Sequence, residues 1–107
     1  MATTDKAWDG SASRWPDTAS YCDSCAINTN TGERADWTQD GCKLPYKEPN
    51  GNINTNALGS AAAALAGARG GLKGVSPADK KKAAKALMRG YSDAQMDPPP
   101  SLKSMAQ

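Results

Sequence analysis

The segment from Ala57 to Arg69 reads ALGSAAAALAGAR, and it constrains the fold more than any other part of the chain. Alanine is the best helix former, so the segment is predicted to be a helix, capped by Asn54 or Asn56 and stopped by Gly70-Gly71. Alanine also buries little area, so this helix brings little hydrophobic stabilisation per residue. What it allows is close approach of another backbone or a large ring. Trp37, Tyr46 and the tryptophans near the N-terminus are the candidates to fill that role.

A second helix follows. Ser76-Pro77-Ala78-Asp79 combines a capping serine, a proline suited to the first helical position and an acid in the first turn. Ala83, Ala84, Ala86, Leu87 and Tyr91 recur at core spacing, while Lys80, Lys81, Lys82, Lys85 and Arg89 fall mostly on the other side. Leu72 and Val75 in the connector are placed to close over the helix ends. Pro98-Pro99-Pro100 ends the helix and begins an extended tail. The two segments together predict a tight helical hairpin.

Upstream the signals are shorter. Residues 42–53 (CKLPYKEPNGNI) read as a β-hairpin around Asn50-Gly51, with Leu44, Tyr46 and Ile53 on its apolar side. Pro45 and Pro49 shorten its strands or confine them to an edge. Residues 17–27 suggest a short helix capped by Asp17 or Thr18, followed by a turn at 28–32 and a polar loop carrying Trp37. Residues 1–16, punctuated by Gly10, Ser11, Ser13 and Pro16, read as an extended arm. Trp8 and Trp15 would dock that arm on this domain or on a neighbouring subunit. The expected fold class is α-rich, with α+β as the variant: a helical hairpin core, a short β-hairpin and extended N- and C-terminal arms. The divisions are an arm at 1–16, a compact helical domain at 17–96 and a Pro-rich tail at 97–107.

With 107 residues, no Phe and 38% hydrophobic content, the chain supports one thin core at most. Charge is divided unevenly. Residues 1–41 carry seven acids against three bases, and residues 43–107 carry ten bases against four acids, so net −4 faces net +6. Such a split suits parts that meet different neighbours, or each other. No window approaches the roughly 18 apolar residues of a membrane span, so no membrane partner is expected. The N-terminus has no apolar signal region, which predicts synthesis in the cytoplasm without export by the usual route.

Catalytic chemistry finds few footholds. The chain has no histidine, so the commonest general base and triad member is missing. No glycine loop is placed to cradle phosphates. The expectation is a binding or structural module, not an enzyme, with no cofactor. Cys22 and Cys25 form a CxxC pair and Cys42 follows. Zinc would need a fourth ligand such as Asp23 or Asp40, and a redox role would need a βαβ context. A disulfide from Cys42 to Cys22 or Cys25 ranks above both, beside the plainer expectation of three small, partly buried thiols. The cations Lys80, Lys81, Lys82, Lys85 and Arg89, with Lys73, form a face that could meet nucleic acid, although no aromatics interleave with them. The plain alternative is a solvated helix face.

Several strings together resemble a small module of tailed-phage and prophage proteins that is encoded near, or fused to, head-maturation proteases and other head proteins. They are Trp8-Asp9-Gly10-Ser11-Ala12, Tyr21-Cys22, Cys42-Lys43-Leu44-Pro45-Tyr46-Lys47-Glu48-Pro49-Asn50-Gly51, Asn54 to Ala57, Ala66 to Gly71 and the Lys-rich helix. The likeness spans roughly residues 8–100. It implies a virion or head-assembly context and brings no catalytic residues. The expectation drawn from it is a capsid decoration or head accessory protein whose partners are the major capsid protein or other head proteins, with homo-oligomerisation left open. Trp8 and Trp15 are its candidate anchors, and deletion of residues 1–16 is expected to abolish capsid binding. The alternative is a small nucleic-acid-binding module using the Lys-rich helix.

Overall fold

The computed structural model describes residues 3–67 and 75–107. In chain order the elements are β1 (Thr3–Thr4), α1 (Thr18–Asp23), β2 (Cys25–Asn28), β3 (Cys42–Pro45), β4 (Ile53–Asn54), α2 (Thr55–Leu65), α3 (Pro77–Asp93) and α4 (Pro100–Ala106). Single 3-10 turns sit at Ala12–Arg14, Arg34–Asp36 and Gln39–Gly41. The result is a mixed α/β fold of several helices with two small two-stranded sheets, and not a helical hairpin with a β-hairpin attached. Helices α2 and α3 do pack together, but α3 is shared with α4 and β2, so the helix pair does not stand alone.

The 42–53 segment departs from expectation in its pairing. A turn forms, but one residue earlier than the expected Asn50-Gly51 pair: Gly51 donates its N–H to the Glu48 carbonyl at 2.8 Å, which puts Pro49 and Asn50 at its centre, and Gly51 follows at φ 93°. Across it there is a single antiparallel bridge, Lys47↔Ile53. Prolines 45 and 49 carry no N–H, so a regular ladder cannot run through them. The strands find other partners. β3 pairs antiparallel with β2 in the register Ile27↔Lys43 and Asn28↔Cys42, and β4 pairs parallel with β1 in the register Thr3↔Ile53 and Thr4↔Asn54.

The helix ends follow local chemistry. Asp17 accepts from the Ser20 N–H at 2.7 Å and starts α1, which stops at Asp23 because Cys25–Asn28 is drawn into the sheet with β3. Asn54 caps α2, its Oδ1 accepting from the Ala57 N–H at 3.0 Å. Helix α2 ends earlier than expected, at Leu65, with Gly67 at φ 109° taking the left-handed position. The expected stop at Gly70-Gly71 and the connector residue Leu72 lie outside the described residues. Ser76 caps α3, accepting from the Asp79 N–H at 3.1 Å, with Pro77 in its first turn.

Both predicted arms are folded in. Asn54, Thr55 and Asn56 clasp the N-terminal strand through its backbone carbonyls: Asn54 and Asn56 both donate to Lys6, Asn56 also to Asp5, and the Thr55 hydroxyl to Thr4. The tail expected to be extended after the triple proline is instead a helix. Pro100 occupies its first turn, where a missing N–H costs nothing, and Leu102 is 1% exposed against the core.

One core cluster joins Ile27, Tyr46, Ile53, Leu58, Leu65, Leu87, Tyr91 and Leu102 with the buried alanines of α2 and α3. A second holds Trp15, Tyr21, Cys22 and Cys42. The small residues act as expected by permitting close approach. A Cβ on Gly90 of α3 would lie 2.8 Å from Leu58 Cδ2 and 3.4 Å from Tyr46 Cε2. Tyr46 therefore packs against α3 at Gly90, in the same core cluster as the alanines of α2, while the ring beside Ala57 and Ala61 is that of Trp8. Trp37 does not: it is partly exposed and lies beside Arg34, whose guanidinium is 5.2 Å from its ring centroid.

Candidate binding surfaces

The arm tryptophans anchor the chain to itself. Trp15 is 5% exposed and its indole N–H donates to Ser24 Oγ at 3.0 Å. It meets Tyr21 edge-on at 5.2 Å and Trp8 at 6.4 Å between ring centroids. Of the two docking sites open to it, its own domain is the one the fold uses, and the buried ring is not available to a neighbour. Arg14 lies over both indoles, 5.7 Å from the Trp8 centroid and 5.6 Å from that of Trp15. Its guanidinium also donates to the Asp9 carbonyl and pairs with Glu48, which accepts from Asn54 Nδ2 at 3.3 Å. Glu48 and Asn54 are buried, and no buried side-chain polar atom among the described residues lacks a partner.

Trp8 is only partly covered. With Leu44, Pro45, Ala57, Ser60 and Ala61 it lines an open, mostly apolar groove of about 140 Å³. Leu44 adopts φ 61°, a left-handed conformation that costs a non-glycine residue about 1–2 kcal/mol and is disfavoured further before a proline. It is held there between the β2–β3 pairing and the Tyr46 N–H bond to the Ser24 carbonyl at 2.9 Å. Beyond the groove, the solvent side of α2 presents Asn56, Gly59, Ser60 and Ala63, with no charged group. Leu44, expected on the apolar side of a hairpin, and Ser60, expected within the alanine-rich helix, both line this groove instead of serving only as packing. A leucine followed by proline inside a strand signal was the only hint of an irregular backbone there.

Two wider, more polar depressions adjoin at Asp17 and Thr18. One is edged by Ser11, Ser13, Trp15, Tyr21 and Gln39, the other by Arg34 and Trp37. Arg34 makes a two-pronged pair with Asp23 at 2.7 and 2.8 Å, and this hydrogen bonding holds the Asp23 carboxyl below the usual carboxylate range.

The cysteines resolve into one cross-link and one thiol. Cys22 and Cys42 form a disulfide with a Cα–Cα separation of 5.3 Å. This overturns the expectation of three thiols and removes two of the three thiolates a cysteine–zinc site would use. Asn30 Nδ2 lies 3.3 Å from the Cys42 sulfur and donates to the Thr38 carbonyl at 2.9 Å, covering the bridge with the loop. Cys25 is a free thiol, pushed up to about 12 mainly by burial. Its sulfur lies 3.2 Å from the Tyr21 carbonyl. Among the described residues no group of His, Cys, Asp or Glu is arranged to hold a metal ion, and no helix is long and apolar enough to cross a membrane.

Four of the five basic residues share one face. Lys81, Lys82, Lys85 and Arg89 are exposed on α3 and Lys80 is half-buried. The ion pairs among the described residues are Arg14–Glu48 and Arg34–Asp23, so none of these five cations has an acidic partner there. Lys73 lies outside the described residues.

No protein family, curated protein or solved structure matches the chain.

Proposed function

We propose that the protein is a phage virion structural protein, a capsid decoration, cement or head accessory protein that binds and stabilises the shell. The observation that carries this reading is the Cys22–Cys42 disulfide. Such cross-links persist on virion surfaces and in other oxidising surroundings, and are rare in proteins that work in the cytosol. The resemblance of residues 8–100 to tailed-phage modules supplies the setting. In this fold its motifs have structural work: Trp8 stacks with Arg14, Gly10 leaves room for Trp8 and Pro45, and Glu48 and Asn54 tie the arm down. They specify a scaffold, and no catalytic role is proposed for any of them.

The face proposed to meet the major capsid protein or another head protein is the Trp8 groove with the uncharged side of α2. Small residues there let a partner approach the helix backbone closely, and repetition over a lattice makes weak single contacts sufficient. The test is co-sedimentation with mature capsids that lack the protein. Deleting residues 1–16 is unsuitable because it removes Trp15 from the core and would report on folding. Ser60→Glu with Ala63→Glu instead places charge on exposed positions. Saturable binding by the native chain, lost in the double variant, supports the reading. Absence of binding by the native chain at low and physiological salt removes it.

A further inference from the structure

We propose that the solvent face of α3 is a docking ridge for the phosphate backbone of double-stranded nucleic acid, bound without regard to sequence. This does not rest on the capsid reading. Lys81, Lys85 and Arg89 recur every four residues, so they form one line along the helix with a rise of about 6 Å per step, and Lys82 flanks it. Helix α3 has 17 residues, giving a rigid rod of about 25 Å.

Cations at i and i+4 repel, by about 0.2–0.5 kcal/mol per pair. The helix holds Lys81–Lys85 and Lys85–Arg89 in that relation with no ion pair to relieve either among the described residues. Asp79 and Asp93 stand at the two ends of α3 and neither pairs with the ridge. Beyond Arg89 the charge is mixed. Tyr46 senses both Arg89 and Asp93, and Lys47 lies 5.5 Å from the Tyr46 ring centroid.

The composition of the ridge selects its partner. Protein interfaces centre on aromatic or other apolar anchors and are depleted in lysine. Here Tyr91 is turned into the core at 4% exposure, and the large hydrophobic residue exposed among the described residues is Met96, beyond the end of the helix. The ridge has no Asn or Gln to pair with adenine and one guanidinium fork, Arg89, that could read guanine, so most of its contacts would be lysine to phosphate, which positions without specifying. The acids of the α1 region face other groups. Arg34 acts on both Asp17 and Asp23, and Asp17 and Lys47 act on Asp23 as well.

The test is fluorescence anisotropy with duplex DNAs of unrelated sequence over a salt series. The native chain is expected to bind all of them alike, with log K falling against log salt at a slope of about −3 to −4 for the four exposed cations. Replacing Lys81, Lys82, Lys85 and Arg89 with Gln is expected to cost more than tenfold at low salt and flatten the slope. Replacing Lys6, Lys43 and Lys103 instead should leave most of the affinity. Circular dichroism confirms that both variants keep their helices. No binding by the native chain at low salt, or equal loss in both variants, overturns the proposal. Preference for polyglutamate over duplex DNA also overturns it, assigning the ridge to an acidic protein surface.

Discussion

Arg14 and Glu48 stand 34 residues apart in sequence and meet in an ion pair that fastens the N-terminal arm to the Asn50-Gly51 turn segment. The pair is asymmetric: the Glu48 side chain is 8% exposed and that of Arg14 is 31%. Glu48→Ala leaves the guanidinium and Asn54 Nδ2 short of an acceptor, and is expected to cost about 2–3 kcal/mol in urea denaturation. Arg34→Ala, which opens the exposed and solvent-screened Asp23 pair, is expected to cost far less. Equal effects would mean that the arm is not locked through Glu48.

Asn54 serves three ends at once, capping α2, holding the Lys6 carbonyl and donating to Glu48. Asn54→Ala is expected to cost about 2–4 kcal/mol, more than a cap alone, because buried partners lose their bonds as well. Asn56→Ala, at an exposed site on the same clasp, should cost about 1 kcal/mol or less. Hydrogen exchange at residues 3–6 should rise in both variants.

Two glycines in helices separate propensity from packing. Gly59 has nothing within 4 Å of an added Cβ, so Gly59→Ala is expected to stabilise by about 0.5–1 kcal/mol. At Gly90 the same change meets Leu58 and Tyr46. Overpacking costs about 1–3 kcal/mol, so the helix gain is offset or exceeded and Gly90→Ala is expected to lower the urea midpoint.

The disulfide closes a sequence separation of 20 residues. Replacing Cys22 and Cys42 with Ser is expected to cost about 3 kcal/mol by freeing the unfolded chain. Thiol titration of unreduced protein in denaturant should find one group, Cys25, and after reduction all three.

Burial also makes the fold sensitive to alkali. Cys25 and Tyr21 are both raised to about 12, so each stays neutral in the folded chain while its unfolded counterpart ionises near 9 or 10. Their contribution to stability is complete below about pH 9 and is lost as pH rises towards 12. Cys25→Ala should flatten the decline between pH 9 and 11, and an unchanged slope would count against the thiol's part in it.

The sequence alone determined the parts governed by neighbouring residues. The Ser76-Pro77 start of α3, a cap at Asp17 or Thr18 and one at Asn54 or Asn56, a turn within residues 48–52 and the lysine face all depend on contacts within a few positions. The close packing of the glycine- and alanine-rich helices was also legible, since small side chains permit little else. Tertiary structure decided the rest. Prolines 45 and 49 limited the local hairpin to one bridge, but only the whole chain could show that β3 would choose β2 and that β4 would choose β1. Leu102 had a core to enter, so the tail became a helix instead of an extended strand. The choice of Cys22 over Cys25 for Cys42, and the placement of Trp15 inside while Trp8 lines a groove, depend on distances across long loops. Loop closure changes only slowly with length, so sequence spacing hardly discriminates among such pairings, and packing settles them.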